Sequence, residues 1–295
     1  MRSFPPDVLM VTHDEMRHAR FVQKGKTALV DGYARTTFSE SPFDSDGSPG
    51  NVNTAAIRTA VERLRARRKF DRASILLPDS WFRTHIVDVE SLPESRTRQE
   101  EAVRWVLRKS VPNRQEKLRI AWNVIDRSAG RIRLVVLTAP EKSLGPLEAA
   151  VRQAGVTPIL IEPTGINLWN AVATGEPDDE EARLLITIES AELSMILFRG
   201  SEPVFVRSKR VSDLGSLTTE LRLSASYLRT QQKITKLARI WLTGDDATED
   251  LARLIERELG SEVERPGLSD LGIETNADIG NAETSVMAAM GVFAA

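Results

Sequence analysis

The same order of hydrophobic periodicities occurs twice in this chain, once in each half. Residues 8–13, 16–24 and 27–38 read as three strands, the last two joined over Lys24-Gly25-Lys26, a tight hairpin turn. A Ser/Asp/Gly/Pro-rich loop at 39–51 leads to a helix with Ile57, Ala60, Val61 and Leu64 on one face. Residues 73–77 form a short buried strand ending at Pro78. The pattern resumes with a helix carrying Leu144, Leu147, Val151 and Ala154, stopped at Gly155, then a strand at 157–161 and a helix from Thr164. In the second half, strands at 183–189, 193–198 and 203–211 precede a helix at about 216–232, a strand at 240–243 and a helix with Leu251, Leu254, Ile255 and Leu259. Residues 262–265 read as a last edge strand, and a final helix from Asn281 carries Val286, Met290 and Phe293. Both halves read β-β-β-α-β-α-β-α. Two copies of one supersecondary unit predict an α/β protein of two similar lobes facing a cleft.

The first copy is interrupted. A strand at 84–89, a helix expected to open on the capping box Thr97-Arg98-Gln99-Glu100, its stop at Val111-Pro112, and a hairpin over Ser128-Ala129-Gly130 make a small α+β unit. The expected division is therefore 1–79 with 140–176 as the first lobe, 80–139 as the insert and 177–295 as the second lobe. The acidic run at 176–181, with Pro177 inside it, serves as linker.

Composition narrows the functional classes. The chain has 295 residues, is 41% hydrophobic and carries 40 basic against 42 acidic residues, a net charge of −2, so no global field favours nucleic acid. Cysteine is absent, which excludes disulfides, thiolate catalysis and thiolate metal sites. The start has no apolar core of signal-peptide length and no apolar stretch approaches a membrane span, so a cytoplasmic protein reaching the inner membrane only through partners is expected.

Several stretches resemble one family. Ser91-Leu92-Pro93 and the helix after it, the hairpin ending Val135-Val136-Leu137-Thr138-Ala139, and Gln153-Ala154-Gly155 followed by Ile161-Glu162-Pro163 are similar to the PilM branch of the actin-like ATPases. So are residues 221–227 before Ile240-Trp241-Leu242-Thr243-Gly244, and the terminal Ala289-Met290-Gly291-Val292-Phe293-Ala294. The resemblance implies an actin-like, ribonuclease-H-like fold of duplicated βββαβαβ lobes with an inserted subdomain. It also implies a component of type IV pilus assembly that binds the cytoplasmic tail of a bitopic, PilN-like inner-membrane protein and helps connect it to the motor. The cytoplasmic part of the secretion protein GspL is similar in fold and role.

The family's ATP site needs glycine for close backbone approach to phosphate and an acid at each first strand to place magnesium. Where its first hairpin reads Asp-x-Gly, this chain has Thr12-His13-Asp14; where the second does, it has Thr187-Ile188-Glu189. The third turn keeps Gly244 but continues Asp245-Asp246. Residues 211–219 are too short for the helical subdomain that helps cover the nucleotide in relatives. Like charges about 4 Å apart repel by ~4 kcal/mol at an effective dielectric near 20, so Glu189, with Asp14, would oppose a triphosphate. The expectation is no ATP hydrolysis, no cofactor, no metal and no catalytic residue: a non-catalytic scaffold whose partner docks in the groove between first lobe and insert. Two alternatives stand beside it: an active nucleotide-dependent enzyme of the same superfamily, such as a small-molecule kinase, and a soluble GspL-like platform of type II secretion.

Other motifs are set aside. Lys24-Gly25-Lys26-Thr27 lacks the earlier P-loop glycine, its place being taken by Arg20. His13, His18 and His85 lack metal-ligand spacing. Glu100-Glu101 and residues 178–181 lie on a helix start and a linker, not in an acid–base pair. The basic run at 63–69 reads as the solvated face and C-terminal turn of a helix.

Overall fold

A computed structural model describes residues 4–24, 27–44, 50–108, 117–128, 130–173, 179–200 and 202–294. Strand β1 (Asp7–Val11) is buried along its whole length, as an apolar run must be when it lies mid-sheet under helices. Strands β2 (Glu15–Lys24) and β3 (Thr27–Thr37) continue antiparallel, while β4 (Arg72–Leu77) and β8 (Thr157–Pro163) add in parallel on the other side. Between them α1 (Thr54–Arg67) starts at Asn53, whose side chain accepts from Ala56 N–H, and buries Ile57, Ala60, Val61 and Leu64. Helix α3 (Glu141–Gln153) packs beside it, and α4 (Thr164–Val172) starts at Thr164.

The second half repeats this. Strands β9 (Ala182–Glu189), β10 (Glu192–Arg199) and β11 (Glu202–Arg210) are antiparallel. Helix α5 (Leu214–Thr230), β12 (Arg239–Thr243), α6 (Glu249–Leu259) and β13 (Val263–Glu264) follow. The sheet orders, β3-β2-β1-β4-β8 and β11-β10-β9-β12-β13, are the same arrangement used twice. The duplication expected from periodicity is therefore present in the hydrogen-bond ladder. Only Val211, Ser212 and Asp213 separate β11 from α5.

The insert has its own three-stranded sheet, β5-β7-β6, from β5 (Arg83–Val89), β6 (Leu118–Ser128) and β7 (Arg131–Pro140). Helix α2 (Arg96–Leu107) covers it, with Val103 and Leu107 packed among Trp122, Leu134 and Val136. The capping box expected at Thr97 and Glu100 does not form. The helix begins two residues earlier, with Ser95 at its cap, and Glu100 instead accepts from Arg104 at 2.7 Å, its neighbour one turn on. The expected helix stop at Val111-Pro112, the turn residues Gly25, Lys26 and Ala129, and linker positions 176–178 lie outside the described residues.

The tail of the chain departs from the sequence reading. Residues 273–275 form a strand, β14 (Ile273–Thr275), which was not expected and which pairs in parallel with β3 of the first lobe's sheet. The final helix α7 (Glu283–Ala294) then lies against α4. Gly291 makes this possible, since a Cβ there would sit 1.7 Å from the carbonyl oxygen of Asn167. One buried cluster thus runs through both lobes: Val8, Met10 and Leu76 from one sheet, Leu185, Phe198 and Trp241 from the other, with Trp169 and Val286 from the helices between. Trp169 stacks flat on Phe198 across that boundary. Among the described residues, no helix is long and apolar enough to cross a membrane.

Candidate functional site

The three turns singled out in the sequence do converge. The first, between β1 and β2, is closed by Thr12: its N–H donates to the Glu15 carbonyl at 3.0 Å and its hydroxyl accepts from the N–H groups of Asp14 and Glu15. Asp14 is exposed. The second turn, between β9 and β10, places Ser190 and Ala191 at φ +49° and +61°. These are the left-handed values of a two-residue hairpin turn that glycine would adopt without strain. The third turn follows β12 at Gly244, with φ +114° and no space for a Cβ, which would lie 1.9 Å from the Ile188 carbonyl oxygen. Gly244 is therefore required by the packing of one turn against another.

What fills the centre is a cation supplied by the chain. Arg17, on β2 opposite Met10, is 6% exposed and reaches from the first lobe into the second. Its Nε donates to Glu15 at 2.5 Å, Nη1 to Glu189 at 2.8 Å and Nη2 to Asp245 at 2.5 Å, while Nη1 also contacts the Ser285 hydroxyl. A guanidinium is suited to this role, with several donors held in a plane. Burial by itself would lower the Arg17 pKa, yet Glu189, Asp245 and Glu15 together raise it above its ordinary range. Burial pushes Glu189 up to about 7 against the pull of Arg17, with Asp245 adding to the rise. The bare negative charge expected at Glu189 is thus corrected: that carboxylate is tied to a buried arginine, and Asp14 takes no part in the cluster.

A second set of cross-lobe bonds lies beside it. Asp79, just after β4, accepts from the Gly165 N–H at 2.7 Å and from the Ser194 hydroxyl of β10 at 2.5 Å. Burial and the nearby Glu192 raise its pKa to about 6. Glu192 in turn accepts from the Ser80 N–H and from the hydroxyls of Ser80 and Ser208, each at 2.8 Å. The recess between the turns, bounded by Thr12, Asp79, Thr187, Glu189 and Ser285, is about 40 Å³ and open on one side. The recess itself takes a few waters, and it adjoins a larger groove through His13, Asp79 and Glu192. Among the described residues, no three His, Asp or Glu side chains gather in a way that could hold a metal. Magnesium placed here would compete with Arg17 for Glu15, Glu189 and Asp245.

The remaining sequence candidates have structural partners. His18 is buried, bonds Asp7 at 2.8 Å and stacks on Phe70. His13 meets Phe43 edge-on, and His85 lies near the Thr138 hydroxyl on the insert. Asp179 binds Arg183 at 2.8 Å. Of the basic run, Arg65 donates to the carbonyls of Phe70 and Ala154, and Arg68 to Asp31. Sequence reasoning missed Arg17, Glu15, Asp79 and Ser285. The available signal was an arginine in the middle of a strand with neighbours on both sides, where a buried charge must find partners.

Comparison with solved structures gives the actin-like ATPase fold. A chain of the PilM-PilN type IV pilus biogenesis complex aligns over 99% of this chain and 98% of that one, with TM-score 0.82 and 17% identity. A Bacteroides thetaiotaomicron protein with actin-like ATPase fold aligns over 89% and 93% at TM-score 0.53 and 10% identity. The cytoplasmic domain of EpsL, an inner membrane component of the type II secretion system of Vibrio cholerae, aligns over 96% and 94% at TM-score 0.51 and 9% identity. No protein-family model and no curated protein matches the chain.

Proposed function

We propose that this chain is a non-catalytic adaptor of an envelope-spanning machine of the type IV pilus kind. It binds the cytoplasmic tail of a single-span, PilN-like inner-membrane protein and stays at the cytoplasmic face through that contact. The observation that carries this reading is the alignment along almost the whole length of both chains with a member of the PilM-PilN complex, insert included. At 17% identity the shared feature is the fold, so the partner is a step beyond it. The lack of catalysis is supported by the site: Glu15, Glu189 and Asp245, three of the carboxylates at the turns, are held by Arg17 and so are not free to place a metal.

The EpsL likeness favours a second reading, a platform component of type II secretion. Co-expression with a PilN-like single-span protein from the same genome tests the adaptor reading. The expected result is co-purification that is lost when the first residues of that partner are deleted. Retention of the complex after the deletion would overturn tail binding.

A further inference from the structure

The groove between insert and second lobe has a charge that a membrane-adjacent tail does not complement. Strand β5 is an outer strand of the insert's sheet, and β11 is an outer strand of the second lobe's sheet. They come close to one another, and a groove of about 510 Å³ opens between them. Pro163, Ile166, Phe82 and Val206 give it an apolar floor. An outer strand offers backbone N–H and C=O groups to an added strand.

Its rim is basic. Arg83 of β5 and Lys209 and Arg210 of β11 are exposed there and make no ion pair among the described residues. Arg207 is already paired with Glu220 of α5. The carboxylates in the groove, Asp79 and Glu192, are occupied by Ser194, Gly165, Ser80 and Ser208. Two imidazoles complete the wall. Burial and then Arg210 lower the pKa of His13, and burial and then Arg83 lower that of His85, although Glu192 and Asp14 work the other way on His13. Both rings are therefore held towards the neutral form, chiefly by burial, with Arg210 and Arg83 beside them.

We propose that the groove between β5 and β11 is a docking site for an acidic, extended segment of a partner protein, laid along these outer strands with its carboxylates on Arg83, Lys209 and Arg210. Segments that flank a membrane span on the cytoplasmic side are rich in Lys and Arg, so this occupant differs in charge from the tail in the adaptor reading. The two proposals fail separately, because neither experiment uses the other's ligand.

The test is selection from a displayed library of random peptides, each about a strand and a half long, against the full chain. The triple variant Arg83→Gln/Lys209→Gln/Arg210→Gln serves as counter-selection. The three side chains are exposed, and an unchanged thermal midpoint establishes that the variant folds. Enriched peptides should carry net negative charge, bind the variant at least about ten-fold more weakly, and slow amide exchange in β5 or β11. Peptides with no acidic bias, equal binding to the variant, binding competed by a single-stranded oligonucleotide in preference to the peptide, or exchange protection elsewhere would each overturn the proposal.

Discussion

Arg17 Nη1 lies 2.8 Å from Glu189 Oε1, joining a strand of the first lobe to the end of a strand in the second. With Asp245 at 2.5 Å on Nη2, this places a fixed positive charge at the meeting point of the three turns. The clamp and the continuous apolar core beneath it join the two lobes.

Replacing the cation exposes the clamp's contribution. Arg17→Met leaves Glu15, Glu189 and Asp245 together without a counter-charge, and stability should fall by about 3–5 kcal/mol. Adding Glu189→Gln to the same chain removes one stranded charge and should restore part of the loss. Urea unfolding of the four chains of this cycle measures the coupling directly. A loss below about 1 kcal/mol for Arg17→Met would indicate a solvent-screened pair instead.

The pH profile should slope downwards through neutrality. Glu189 rises from 4.5 to about 7 and Asp79 from 3.8 to about 6, so between those limits the folded chain binds more protons than the unfolded one. Stability from these two groups is then fully present below about pH 4 and is lost as pH rises through 6 and 7. Thermal midpoints across that range should show the slope in the native chain, and Glu189→Gln with Asp79→Asn should flatten it. An unchanged slope in the double variant would place its origin elsewhere.

Gly244→Ala should be costly for two reasons. The new methyl would meet the Ile188 carbonyl at 1.9 Å, and φ of +114° is unfavourable for any residue with a Cβ. A loss of about 2–4 kcal/mol is expected from backbone strain and overpacking together. By contrast Gly260→Ala, at φ +74° with nothing near the added methyl, tests strain alone and should cost about 1 kcal/mol.

Nucleotide should leave the chain unaffected. A ligand at a hundred times its Kd stabilises by about 2.7 kcal/mol, so millimolar Mg-ATP would shift the melting midpoint visibly if it bound with micromolar affinity. No shift is expected. A shift of several degrees, or ATP turnover abolished by Thr187→Ala, would end the scaffold reading.

The sequence by itself determined the order of elements and the duplication. Apolar periodicity is local, and runs such as 182–189 or the stripe Leu217, Leu221, Ala225 and Leu228 report burial without knowing what covers them. It also marked all three turns, because turn chemistry is carried by a few adjacent residues. The tertiary structure decided what those turns hold. Arg17 meets Glu189 and Asp245 at separations of 172 and 228 residues, and no local pattern encodes a charge pair formed by two sheets coming together. For the same reason Glu189 read as a bare charge, when in the folded chain it is half of a bond. Strand β14 was invisible on its own, since Ile273–Thr275 has too few residues for a period and is a strand only because the outer edge of β3 is there to receive it.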